Sequence, residues 1–146
     1  MEIKVKKLNE KAVLPHIASS GAAAADLHAL LDNPLTIKAG ERVLVPTGIS
    51  IELPGNEYVA LICARSGMAF KRGLALANGI GVIDSDYRGE LLVAMINTGN
   101  EDQTIEPGDR IAQLMVLPVV TPVYTEVSEI GETERGAGGF GSTGKA

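Results

Sequence analysis

The chain has 146 residues, 13 Lys and Arg against 18 Asp and Glu, a net charge of −5, 17 Gly, 7 Pro, one Cys and no Trp. A chain of this size predicts one domain able to bury about 70% of its unfolded surface, enough for an aliphatic core. The acidic balance argues against a broad basic face for nucleic acid, and no run approaches the ~18 apolar residues of a membrane span. A polyanionic ligand must therefore meet a local cluster of cations.

In chain order, Met1 to Glu10 carries five charges and no apolar signal region. The protein is accordingly expected to be soluble and cytoplasmic. Ile3 and Val5 alternate with Lys4 and Lys6, a strand pattern. Ala22 to Ala29 places Asp26 among alanines and Leu27, an acid in an apolar strand that needs a cation or hydrogen-bond donors. His16 and His28 have no metal-ligand spacing and are expected at the surface. Val43, Val45, Ile49 and Ile51 form an extended stretch broken by Pro46-Thr47-Gly48, and Leu53-Pro54-Gly55-Asn56 reads as a turn. Tyr58 to Ala64 is a buried strand. Its Cys63 is expected to be a small buried hydrophobe in a reducing compartment, since a lone cysteine has no internal disulfide partner.

Ser66 to Arg72 is the one plausible helix, with Ser66 as its cap. Val82-Ile83 leads to Asp84, and Gly89 allows the chain to turn back in a hairpin toward Leu91 and Leu92. Strands follow at Glu90 to Asn97 and Arg110 to Leu117, with turns at Thr98-Gly99-Asn100 and Pro107-Gly108-Asp109. The predicted fold class is all-β: a jelly-roll-like β-barrel or sandwich, spanning 1–130, with at most one short helix. Residues 131–146 hold six of the 17 glycines and no apolar pattern, and are expected to form a flexible Gly-rich C-terminal arm.

Three segments carry polar residues in patterns suited to chemistry. In Ala64-Arg65-Ser66-Gly67 a guanidinium and a hydroxyl meet at a strand end and helix start, either a seat for phosphate or a capped helix with a surface arginine. Around Asn78 to Glu90, Asp84 follows a strand and Tyr87 lies among glycines. The segment is either an ordinary Asp/Ser turn or a site where Asp84 is a general base for water and Tyr87 packs on a sugar. Gly139 to Lys145 matches most of a phosphate-binding loop, but no strand precedes it, no helix follows, and Ala146 stands where Ser or Thr is required. Its glycines suit either a linker or an anion nest, with Phe140 as a stacking platform. Asp109 and Arg110 read as a surface pair, whereas Gln113, between Ala112 and Leu114, needs a partner if buried.

Taken in order, Ala23 to Ala29, Ala64 to Ala69, Asn78 to Glu90, Gly108 to Val116 and Arg135 to Gly144 resemble the five motifs of the trimeric dUTP diphosphatases (dUTPases). The resemblance covers essentially the whole chain. It implies hydrolysis of dUTP to dUMP and pyrophosphate by a homotrimer with shared active sites. By position it makes Asp84 the acid that activates the attacking water. It makes Asn78 and the backbone around Val82, Ile83 and Leu92 the uracil reader, and Tyr87 the ring beneath deoxyribose. Arg65, Ser66, Gly67 and Gln113 become phosphate ligands. Arg135 meets the γ-phosphate, Phe140 stacks on uracil, and Gly141, Ser142 and Thr143 close over the triphosphate. The implied cofactor is Mg²⁺, held by triphosphate and water rather than directly by protein, with Asp26 ordering the site and the metal's water shell. The related dCTP deaminases carry a Glu ten residues after the motif's Asp, where this chain has Ala94. A nucleotide-sensing trimer without turnover is the other reading, disfavoured by the retained Asp84.

Overall fold

The computed structural model describes residues 1–139. Phe140, Gly141, Ser142 and Thr143 lie outside the described residues. Among the described residues, eleven strands and one helix follow one another. Strand β1 (Lys4–Lys7) pairs with β5 (Ile49–Glu52), and β3 (Leu35–Ile37) with β10 (Gln103–Ile105). Strands β2 (Ala25–His28), β11 (Arg110–Pro118), β6 (Tyr58–Ala64) and β8 (Gly81–Ile83) form a four-stranded sheet in that order. Strands β4 (Arg42–Pro46), β9 (Leu92–Asn97) and β7 (Leu74–Leu76) form a three-stranded one. Every ladder is antiparallel, and the sheets enclose one core without closing into a single barrel, a jelly-roll-like sandwich.

Alternation sets which faces are buried. In β9 Val93, Met95 and Asn97 point inward, and in β6 Ala60 and Ile62 do so. The core is aliphatic, built on Leu27, Ile37, Ile49, Leu74, Leu91, Met95, Ile105 and Ile111. Aromatics contribute little: Phe70 and Tyr124 are each 92% exposed. Asn97 is fully buried and fully engaged. Its amide donates to the carbonyls of Ile37 and Glu101 (2.9 and 2.8 Å) and its oxygen accepts from Gly99 N–H (3.0 Å), which locks the turn after β9 against β3.

Several expectations need correcting. Helix α1 (Ser66–Arg72) forms, but its cap position is Arg65, with no side-chain cap bond. Ser66 is the first helical residue and exposed, because β6 continues to Ala64 and leaves only Arg65 extended before the helix. The segment from β8 to β9 is no paired hairpin. Strand β8 binds β6, while β9 binds β4 and β7, so the chain crosses between sheets after Asp84. Cys63 is half-buried rather than buried, since it occupies the outward-facing phase of β6, opposite Gln113. His28 is not a surface residue: it is half-buried, and its Nδ1 is buried without a hydrogen-bond partner among the described residues. Burial, reinforced by the nearby Arg110 and Arg65, holds its pKa below the usual histidine value against the opposing pull of Asp26. Beyond Pro118 no strand or helix forms among the described residues, and Val120, Val123, Tyr124 and Ile130 are 84–92% exposed.

Candidate active site

Two clefts collect most of the candidate site residues. The first, about 310 Å³, is lined by Arg65, Ser66, Gly67, Lys71, Arg72 and Gln113. It lies where β6 runs into α1 and where β11 passes alongside. Its framework is an ion triad around Asp26, which is 4% exposed. Arg65 Nε donates to one carboxylate oxygen at 2.9 Å and Arg110 Nη1 to the other at 3.1 Å. Burial alone raises the Asp26 pKa, but the hydrogen bond and charge of Arg110 and the charge and hydrogen bond of Arg65 outweigh it, and the net displacement is downward. Asp26 therefore stays ionised and fixes Arg65 at the cleft wall. Both its oxygens are engaged by guanidinium groups, so the position works by orienting cations.

Two guanidinium groups share that one carboxylate, which leaves positive charge facing the cleft. Lys71 adds to it, with no hydrogen-bond or ion-pair partner among the described residues. Arg72 is spent on structure: it bonds Gln103 Oε1 (3.1 Å), the Thr104 carbonyl and the Met68 sulfur, with Asp109 at 4.0 Å. Neither Lys71 nor Arg72 stands out by motif. The signal for Lys71 is its place four residues after Gly67, on the same side of a helical turn. Arg110, expected to be the surface partner of Asp109, instead reaches Asp26, while Asp109 accepts from the Glu106 N–H. The bulge between Arg110 and Ala112 accompanies that reach.

The second cleft, about 190 Å³, is lined by Val82, Ile83, Asp84, Tyr87, Glu90 and Leu92. Asp84 is exposed and directly follows β8; its side chain carries no hydrogen bond among the described residues, leaving the carboxylate free for a water or substrate proton. The turn behind it is held by its own backbone and by Arg88. Tyr87 N–H donates to the Asp84 carbonyl (3.1 Å), and Arg88 Nη1 donates to the carbonyls of Ser85 and Tyr87 (2.7 and 3.0 Å). Asn78 sits in the turn between β7 and β8, and its carbonyl accepts from Ile80 N–H (2.8 Å); it lines neither cleft. Arg135 lies in an exposed turn and also lines neither.

Within one chain the two clefts stand apart. Strand β6 pairs Ala60 with Ile83 and leads to Arg65 at its other end, so Asp84 and Arg65 flank opposite ends of the strand. The five residue steps of extended chain from Ala60 to Arg65 span about 17 Å. No grouping of three or more His, Cys, Asp or Glu side chains able to hold a metal ion occurs among the described residues. No helix among them is long and apolar enough to cross a membrane.

A cation-lined cleft at one end of a strand and an exposed carboxylate beside an aromatic ring at the other give this β-sandwich protein a surface that suits a phosphorylated ligand. Comparison with known proteins narrows the class. A family model described as dUTPase matches residues 10–144. Deoxyuridine 5'-triphosphate nucleotidohydrolase of Desulfitobacterium hafniense is 56% identical over 131 residues, 90% of this chain and 87% of that protein. The protein of the same name from Paraburkholderia phymatum is 47% identical over 145 residues, 99% of this chain and 98% of that one. The Staphylococcus bacteriophage 80alpha dUTPase, solved with dUPNHPP, superposes with a TM-score of 0.89 at 27% identity, covering 99% of both chains. A variant dUTPase from phage phi11 of S. aureus, described with a structural Mg(II) ion, shares the fold at 23% identity, with a TM-score of 0.81 over 90% of this chain and 100% of that one. The chain belongs to the dUTPase family.

Proposed function

We propose that this chain carries out its family's reaction through the residues of the two clefts, joined between subunits. The reaction is hydrolysis of dUTP to dUMP and pyrophosphate, which lowers dUTP, limits uracil incorporation into DNA and supplies dUMP for dTMP synthesis. Asp84 accepts a proton from a water positioned in line with the bond to the leaving group. As the water oxygen bonds to the α-phosphorus, the bond to the α–β bridging oxygen breaks and pyrophosphate leaves with that electron pair. Arg65, Ser66, Gly67 and Gln113 bind the phosphates, and Arg65 neutralises charge that develops on pyrophosphate. Tyr87 lies beneath deoxyribose. The backbone at Val82, Ile83 and Leu92, with Asn78, reads uracil by pairing with its polar edge, so that cytosine leaves buried groups unpaired. Arg135, Phe140, Gly141, Ser142 and Thr143 belong to a C-terminal lid over the triphosphate and uracil.

Mg²⁺ fits this donor set as an ion carried by substrate. The clefts offer Asp84 and guanidinium groups rather than a cage of carboxylates, and Mg²⁺ is commonly bound through phosphates and retained waters. When bound it supplies charge neutralisation on the triphosphate. The separation of Asp84 from Arg65 along β6 is the observation that supports a shared site: one chain offers two half-sites, and a second copy in a homotrimer brings the complementary half. A cytoplasmic location goes with the free Cys63 and a phosphorylated nucleotide substrate. Asp84→Asn tests the assignment of the base: dUTP binding is retained, while turnover falls by roughly 10²–10⁴-fold in single-turnover measurements. A near wild-type rate assigns water activation to another group.

A further inference from the structure

The Tyr87 ring does not stand free in its cleft. Its hydroxyl donates to the Glu90 carbonyl at 3.0 Å, three residues on, which folds the ring back over the intervening backbone at Gly89. A Cβ placed on Gly89 falls 2.5 Å from Tyr87 Cζ and 2.9 Å from Cε2, and against the hydroxyl oxygen as well. No side chain fits at position 89 while the ring keeps this place. The backbone itself makes no such demand, because Gly89 is not among the glycines with positive φ. The nearest obstacles to a side chain there are all atoms of the tyrosine ring and its hydroxyl.

The carbonyl that receives the hydroxyl is itself anchored. Glu90 turns its carboxylate inward, where Oε1 accepts from the Gly48 N–H at 2.7 Å. Gly48 is closely packed: it holds a φ of +69° between β4 and β5, and a Cβ there would meet Leu30 Cδ2 at 2.5 Å and Ala12 Cβ at 2.9 Å. Two neighbouring bonds, Thr47 Oγ1 to the Leu91 carbonyl (2.6 Å) and Leu91 N–H to the Ile49 carbonyl (2.8 Å), tie the same stretch to the core. The ring is thus located by a chain of contacts from the β4–β5 turn through Glu90, with Gly89 as the clearance beneath it.

We infer that Gly89 and the Tyr87 hydroxyl clasp on Glu90 are specificity-determining features: they fix the ring where a ribose 2′-hydroxyl would otherwise be admitted. The inference rests on the reading that Tyr87 lies beneath the sugar. Alanine at position 89 is relieved most cheaply by swinging the far end of the tyrosine, which is already 43% exposed, into solvent. The fold survives, the clasp opens and the wall against the extra hydroxyl is lost.

The test compares kcat/KM for dUTP and UTP in the full-length wild type and in Gly89→Ala, Tyr87→Phe and Tyr87→Ala, with thermal melting on each. Gly89→Ala is expected to lower the dUTP-to-UTP ratio by roughly tenfold or more, and Tyr87→Phe, which keeps the ring but loses the clasp, by a smaller factor of roughly two to five. A purely structural role for Gly89 would lower both substrates together and leave the ratio unchanged. If Tyr87→Ala collapses the ratio while Gly89→Ala and Tyr87→Phe leave it within about twofold of wild type, the positioning role is overturned and the sugar-packing role stands. If Tyr87→Ala itself leaves the ratio unchanged, the sugar-packing reading falls and the inference with it. Should Gly89→Ala not yield folded protein, the ratio for Tyr87→Phe decides, an unchanged value overturning the clasp.

Discussion

The guanidinium of Arg65 at the cation-lined cleft rests on the buried carboxylate of Asp26, Nε to Oδ1 at 2.9 Å, and the other oxygen of the same carboxylate holds Arg110 at 3.1 Å. One acid sets the direction of two cations from adjoining strand ends. Breaking a buried pair by removing one partner costs about 3–5 kcal/mol, reduced where the surviving charge reaches water. The Arg110 side chain is 53% exposed and that of Arg65 24%. Asp26→Asn is therefore expected to lose about 2 kcal/mol of stability at pH 7 and to weaken phosphate binding, measured by urea denaturation and by nucleotide titration.

The same triad predicts a pH dependence. Despite burial, the Arg110 and Arg65 interactions hold the folded-state Asp26 pKa below its ordinary value, so the native state binds its proton less readily than the unfolded chain. That stabilisation is complete above the unfolded carboxyl pKa of about 4 and is lost as pH falls through the lower folded value. In urea denaturation at fixed protein concentration, wild type and Asp26→Asn should differ most near neutrality and converge in acid. The exposed pairs Lys4–Glu52 and Lys11–Asp32 are screened and add little to the slope. A gap that stays constant down to about pH 3, below the ordinary carboxyl range, would show that Asp26 does not act through its charge.

The half-sites at opposite ends of β6 make a prediction about mixed subunits. Asp84→Asn and Arg65→Ala, each inactive alone, should recover activity when unfolded and refolded together. In randomly mixed trimers roughly a quarter of shared sites draw both intact halves from different chains. A site contained in one chain recovers none.

Much of the core is legible in the sequence. Tyr58 to Ala64 matches β6 because a continuous apolar run bounded by turn residues has one extended solution, and Ser66 to Arg72 matches α1. The three-residue strands β3, β7 and β10 carry no signal of their own, since three residues show no period. Their pairing comes from distant partners, Leu35 with Ile105 and Leu76 with Met95. The sheet membership of β8 and β9 is hidden for the same reason: local turn chemistry favours a hairpin, and only long-range pairing sends the two strands to different sheets. At the site, Asp26 announces its need for a cation, but nothing local names Arg65 and Arg110, which lie 39 and 84 residues on. Glu90 is equally silent, its role being set by a Gly48 N–H that the β4–β5 turn leaves to a side-chain acceptor.

Truncation after Ile130 tests the proposed division between lid and scaffold. Among the described residues regular structure ends at Pro118, and no residue from 119 to 139 is buried. Removing 131–146 should leave the melting temperature close to that of the full chain while turnover of dUTP falls by at least about tenfold, as the proposed lid requires. A large fall in melting temperature would assign the segment a structural role.

Asp84 and the cation cleft, acting together on one nucleotide, stand or fall by pyrophosphate release from dUTP, dTTP, dCTP and UTP, each measured with and without Mg²⁺. Rapid release from dUTP with Mg²⁺ is predicted, with much slower release from the other three and no ammonia from dCTP. Absence of pyrophosphate from dUTP, or equal rates on all four nucleotides, would contradict the assignment.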